Sequence, residues 1–118
     1  MAVRAYAPYS LFRVGAAVED AAGTVYLGCN VESASYGLSI CAERSAIFNA
    51  VASGAVRPFA AMAVSCIDAA GNCSPCGACR QVMFEHLAPD APIFVDGVGQ
   101  FTTRELLPSA FALEATER

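Results

Sequence analysis

Two short stretches, Cys41-Ala42-Glu43-Arg44 and Pro75-Cys76-Gly77-Ala78-Cys79-Arg80-Gln81, confine this chain to folds that bring them together. Position 76 lies 35 residues after position 41, and three thiols in that spacing can hold one zinc ion with a fourth position left open for water. A carboxylate, Glu43, follows the first thiol by two residues and can reach that position. The rest of the chain then reads as scaffold and pocket.

The flanking residues predict how the thiols are presented. Ser39 is a candidate N-cap for a helix over 39–53, whose interior is rich in Ala, Ile and Phe and whose end falls at Gly54. Ser74-Pro75 supplies an N-cap and a first helical proline for a second helix, which runs to about Leu87 before Ala88-Pro89 stops it. Both thiol groups therefore sit at helix N-termini, where unpaired N–H groups and the dipole favour thiolate. Apolar runs over 13–19 and 24–31, joined by Asp20-Ala21-Ala22-Gly23, predict a β-hairpin, with Asn30 and Glu32 at its far end. The runs over 60–67 and 92–96 carry too little polarity to be half exposed and predict strands buried on both faces. A loop spans 68–74, Gly97-Val98-Gly99 turns the chain, and a short helix over 103–107 ends at Pro108. This order predicts a single α/β domain over residues 1–118, a three-layer α/β/α arrangement around a mixed sheet.

Composition narrows the function. At 56% hydrophobic, 15% charged and a mean hydropathy of +0.47, the chain is more apolar than a small monomer needs, which predicts a homo-oligomer. No apolar run reaches the roughly 18 residues of a membrane span, and no export signal opens the sequence, which predicts a cytoplasmic protein. The net charge is −4, and the seven basic residues are all arginines scattered singly, so a polynucleotide partner is disfavoured. Six cysteines in a reducing compartment point to metal or chemistry over disulfides.

Not every candidate is a ligand. Cys73, Cys76 and Cys79 form an iron–sulfur-like run, but the fourth cysteine it needs is replaced by Met83. Cys73 is an alternative ligand that would close a structural zinc site; His86, the one histidine, reads as a partly exposed helix residue. Cys29 and Cys66 fall in apolar strands as small buried hydrophobes. Glu32 has a salt bridge to an arginine as its plain alternative, and Phe12 and Phe111 read on pattern alone as core or interface residues.

With three thiolate ligands, zinc acidifies the water in the open position, and Glu43 can take its proton and pass it to ring and leaving-group nitrogens. This is the chemistry of hydrolytic deamination. Arg44, next to Glu43, can offset part of the negative charge that three thiolates leave on the centre.

These motifs, together with Ala7-Pro8-Tyr9-Ser10, Phe12 to Ala17, Asn30-Val31-Glu32, Ser35 to Leu38 and Leu106-Leu107-Pro108 with Phe111, make nearly the whole chain similar to the cytidine deaminases of the small, homotetrameric, free-nucleoside type. The resemblance implies a five-stranded mixed sheet and one zinc ion per subunit on Cys41, Cys76 and Cys79, with Glu43 catalytic. It also implies substrate contacts from Phe12 on the base, Asn30 and Glu32 on the ribose, Ala42, and Phe111 reaching a neighbouring subunit's pocket. Cytidine and deoxycytidine, as in pyrimidine salvage, are the implied substrates; an antibiotic nucleoside such as blasticidin S and a non-catalytic zinc module are the rivals. The sequence departs from the family in two places. Almost all of the helix that usually precedes Ala7-Pro8-Tyr9-Ser10 is missing, and Ser109 stands where a glycine is common.

Overall fold

A computed structural model describes residues 1–68 and 73–114. Strands β1 (Val14–Glu19) and β2 (Val25–Cys29) form the predicted antiparallel hairpin. The Asp20 carboxylate closes its turn by accepting from the Ala22 and Thr24 amides at 3.0 and 2.9 Å, and from Val56 at 3.0 Å, which ties the turn to the segment after the next helix. Helix α1 (Ala42–Ala52), strand β3 (Ala61–Cys66), helix α2 (Gly77–His86), strand β4 (Ile93–Val95), strand β5 (Gly99–Phe101) and helix α3 (Thr103–Leu106) follow. The sheet order is β2-β1-β3-β4-β5, with β3–β4 parallel and its other pairings antiparallel, giving the mixed five-stranded sheet. The short β5 escapes a reading of the sequence by apolar runs because it contributes only Gly99, Gln100 and Phe101.

Alternation along the strands puts Ala16, Val18, Met62, Val64, Ile93 and Val95 on one face, where Ala46, Ile47 and Ala50 of α1 and Cys79 and Met83 of α2 cover them. Ile47, Met62, Met83 and Ile93 are fully enclosed, each worth about 1.5–3 kcal/mol of apolar transfer. Gly28 sets how closely α1 lies on the sheet. A Cβ there would stand 2.2 Å from the backbone nitrogen of Ala46 and 2.8 Å from the carbonyl oxygen of Ala42, so backbone touches backbone.

The opposite face is open, contrary to the expectation that β3 and β4 are buried on both sides. Ala63 and Phe94 are exposed, and with Ala17, Leu27 and Ile67 they line an apolar trough of about 510 Å³. The described chain lays only a 3₁₀ turn, Ala2–Arg4, against this face at Gly15, so the second helical layer is reduced to that turn.

Both helix starts lie later than the sequence predicts. Ile40 exchanges backbone hydrogen bonds with Val31, both 2.9 Å, which holds it extended, and the Ser39 hydroxyl accepts from the Ser33 amide instead of capping. Cys41 is therefore the N-cap of α1. Ser74-Pro75 likewise stays outside the helix and Cys76 is the N-cap of α2. Most of the loop over 68–74 lies outside the described residues.

Candidate metal centre and active site

The shift in helix starts matters chemically. A thiol is a poor hydrogen-bond acceptor, and neither Cys41 nor Cys76 caps its helix with a side-chain bond. Each is free to turn toward the other: their sulfurs stand 3.9 Å apart, and the three sulfurs of Cys41, Cys76 and Cys79 all lie within 4.8 Å of one another. Three thiolates at the usual ~2.3 Å from a tetrahedral zinc would be about 3.8 Å apart, and an all-sulfur donor set suits that ion. Three ligands leave one tetrahedral position for a water or substrate atom. The residues present fit zinc.

Charge is distributed around the sulfurs in a defined way. The Cys41 thiol is drawn down to about 5, first by a hydrogen bond from Cys79 and then by the Arg44 guanidinium, whose Nη2 lies 3.5 Å from the Cys41 sulfur. The same contact with Cys41, together with burial, pushes Cys79 up. Arg44 is held more firmly protonated by Cys41, and its Nε is buried with no hydrogen-bond partner among the described residues. Glu43, in the first turn of α1, is 4% exposed. Burial raises its carboxyl above the usual range, and the neighbouring Cys41 charge raises it further.

A cavity of about 380 Å³ opens above this cluster. Its wall includes Cys41, Ala42, Glu43 and Cys76 on the metal side and Ser10, Phe12, Asn30 and Glu32 on the other. Asn30 is nearly enclosed and holds the start of β1: its Oδ1 accepts from the Val14 amide at 2.8 Å and its Nδ2 donates to the Phe12 carbonyl at 2.8 Å. One N–H and one lone pair of that amide stay available. Among the described residues Glu32 makes no arginine pair; its Oε1 accepts from the Tyr9 and Ser10 amides at 3.0 and 3.1 Å, and its Oε2 from the Ser10 hydroxyl. These bonds, the Ser10 hydroxyl foremost, hold the Glu32 carboxyl below its usual range. Arg13 pairs instead with Asp68, which takes its amide, Nε and Nη2 at 2.7–2.9 Å.

Several sequence candidates fall elsewhere. Cys73 is buried in the cavity wall but outside the sulfur cluster, and burial, with its contact to Cys66, raises its thiol to about 11. Cys29 and Cys66 are only half-buried: Cys29, opposite Gly15, lies on the open face of the sheet, whereas Cys66 packs against the core at the end of β3. His86 ends α2 and stacks on Phe59 at 6.0 Å, with Nδ1 meeting Arg57 at 2.5 Å. Phe111 is 67% exposed and does not line the cavity; Gln81 donates to its carbonyl at 2.9 Å. Ser10 is the residue that sequence reasoning misses. The available signal is its spacing to Phe12, since a serine hydroxyl can bond the amide two residues on, as here at 3.0 Å.

The sequence profile of the cytidine and deoxycytidylate deaminase zinc-binding region matches residues 1–94. A cytidine deaminase of Sporosarcina psychrophila is 46% identical over 115 residues, covering 94% of this chain and 83% of its own. A 1.6 Å crystal structure of the cytidine deaminase of Burkholderia pseudomallei superposes with a TM-score of 0.83 at 48% identity, over 93% of this chain and 90% of that one. The cytidine deaminase of Mycobacterium leprae gives 0.82 at 40% identity, with 92% and 88% covered.

Proposed function

We propose that this chain, which belongs to the zinc-dependent cytidine deaminase family, converts cytidine and deoxycytidine with water to the uracil nucleoside and ammonia. The observation that carries this reading is the placement of Glu43, a buried carboxylate at the floor of a cavity beside the three sulfurs. Zinc held by Cys41, Cys76 and Cys79 supplies Lewis acidity toward a water in its remaining position. Glu43 takes one proton from the attacking water and delivers it to N3 of the ring, then carries the second, from the hydroxyl now on C4, to the departing amino nitrogen. The water oxygen becomes bonded to C4, the C4–N bond breaks, and the amino group leaves as ammonia. Enclosure suits Glu43 to both halves of the cycle, because a desolvated carboxylate accepts a proton readily and is not swamped by bulk water.

Phe12 forms the wall for the base, and the backbone at Ala42 borders it from the metal side. Asn30 and Glu32 receive the sugar hydroxyls with the hydrogen-bonding capacity that the scaffold leaves them. Arg44, through its contact with Cys41, tempers the charge of a trithiolate centre. A free nucleoside fits better than a polynucleotide. Arg13 and Arg57 are engaged with Asp68 and His86, and Arg80 donates to the carbonyls of Pro75 and Leu106, so no basic track leads to the cavity from these three.

Residues 1–118 act as one domain that assembles as a homotetramer in the cytoplasm and serves pyrimidine salvage. The apolar outer sheet face and the exposed Phe111 support assembly, with Phe111 completing a neighbour's pocket. The test is incubation of zinc-loaded protein with cytidine, deoxycytidine, cytosine and blasticidin S, following ultraviolet absorbance. Turnover of the two nucleosides alone supports the reading, and turnover of none of the four sinks it. A native mass near four times 12.2 kDa supports the tetramer; a fully active monomer refutes the role of Phe111.

A further inference from the structure

We infer that Ser10 is a positioning residue that sets selectivity for the sugar, by locking Glu32 and Phe12 to one another through a single hydroxyl. The inference rests on the reading above, in which Glu32 meets the sugar and Phe12 the base.

The Ser10 hydroxyl donates to Glu32 Oε2 and accepts from the Phe12 amide at 3.0 Å, so one oxygen lies between the acceptor for the sugar and the ring beside the base. The Ser10 amide adds a bond to Glu32 Oε1 at 3.1 Å. The intervening residue, Leu11, has φ +59°, a conformation that a leucine rarely adopts, and it is held between the Ser10–Phe12 bond and a bond from its own amide to the Ala7 carbonyl at 3.0 Å. That kink is what returns the chain inward, so that Phe12 is half-buried while Leu11 is 73% exposed.

Lone-pair counting gives the consequence. A carboxylate has about four acceptor positions. On Glu32 the Tyr9 and Ser10 amides occupy both positions on Oε1, and the Ser10 hydroxyl occupies one on Oε2. One position remains, with a fixed direction, and it can take a single sugar hydroxyl. Without the Ser10 hydroxyl, Oε2 has two open positions and no fixed orientation, and a water competes for the sugar's place.

The readout is the ratio of kcat/KM for deoxycytidine to that for 2′,3′-dideoxycytidine, which differ by one hydroxyl. Measured on one preparation, the ratio is independent of the active fraction. Ser10→Ala is expected to lower it by about tenfold, the equivalent of about 1.4 kcal/mol, chiefly through KM for deoxycytidine; Ser10→Thr, which keeps the hydroxyl, stays within about threefold of wild type. Glu32→Gln lowers the ratio as far, and Ser10→Ala/Glu32→Gln lowers it no further, as expected of residues acting through one contact. A wild-type ratio near one, or a ratio indifferent to Glu32→Gln, refutes the sugar role of Glu32 and the Ser10 assignment with it. A ratio that depends on Glu32 but is unchanged in Ser10→Ala, or is lost alike in the Ala and Thr variants, overturns the Ser10 assignment alone.

Discussion

Replacing Gly28 with alanine should disable the metal centre from a strand that contributes nothing to it. The added Cβ would stand 2.2 Å from Ala46 N, 2.7 Å from Ala46 Cα and 2.8 Å from Ala42 O. Ordinary van der Waals contact begins at 3.4 Å, so α1 must withdraw from β2 by about 1.2 Å. All three neighbours are backbone atoms, and no rotamer change can absorb the strain. Overpacking of a core costs about 1–3 kcal/mol, and a clash confined to backbone belongs at the upper end. At roughly 4 °C per kcal/mol for a domain of this size, unfolding should move down by about 12 °C. The same shift carries Cys41 away from Cys76, a separation of 3.9 Å that leaves little slack for a shared ion. The assay is zinc per chain by plasma mass spectrometry after dialysis, with thermal unfolding measured both with and without chelator so that packing and metal losses are separated. Gly37→Ala is the control, because a Cβ there meets nothing within 4 Å, and it should stay within about 0.5 kcal/mol of wild type. One zinc per chain in Gly28→Ala, with unfolding within about 2 °C of wild type, would refute the reasoning.

Glu43→Gln should keep one zinc per chain and lose about 10²–10⁴ in kcat, since it removes the proton carrier and spares the sulfurs; loss of zinc in that variant would assign Glu43 a structural part instead. Cys79→Ala should lose the metal, and a full zinc complement by mass spectrometry would remove Cys79 from the ligand set. Asp20 titrates below the usual carboxylate range, chiefly through its bond from the Val56 amide, so its charged form favours the native state. That contribution is complete above the unfolded value of about 3.9 and is lost as pH falls through the lower folded one, so Asp20→Asn should flatten the acid limb of an unfolding-midpoint profile; an unaltered limb would count against it. Ser109 has φ +56°, and Ser109→Gly should raise stability by about 0.5–1 kcal/mol, the relief of a left-handed backbone less the entropy of glycine in the unfolded chain. A lower denaturant midpoint for that variant would refute it.

The chemistry was more legible in the sequence than its local geometry. Cys41, Cys76 and Cys79 stand out because metal binding tolerates few residue types, and the structure brings their sulfurs together, with Glu43 beside Cys41 and Cys76 in the cavity wall. The helix starts were misplaced because Ser39 and Ser74 satisfy the local capping rule, whereas the long-range pairing of Ile40 with Val31 decides where α1 begins. Burial of β3 was overstated for a related reason: Ala63 is apolar whether or not anything covers it, and hydropathy cannot tell a buried face from an open one. Ser109 shows the converse, since a departure that looks minor by residue type falls on a backbone angle that disfavours any side chain.

The metal centre is split between two crossovers, Cys41 arriving with α1 after the hairpin and the other two thiols with α2 after β3. That division gives zinc a history during folding. Before the sheet forms, Cys76 and Cys79, with Cys73 close by, already make a local chelate, while Cys41 must wait for a loop of 35 residues to close. Zinc therefore has some affinity for the unfolded chain, and the stabilisation it confers falls short of what its native affinity alone dictates. Release from the folded protein takes a different course, because Cys41 cannot retreat while Gly28 holds α1 on the sheet, so chelator should remove the ion at the rate at which that helix lifts away.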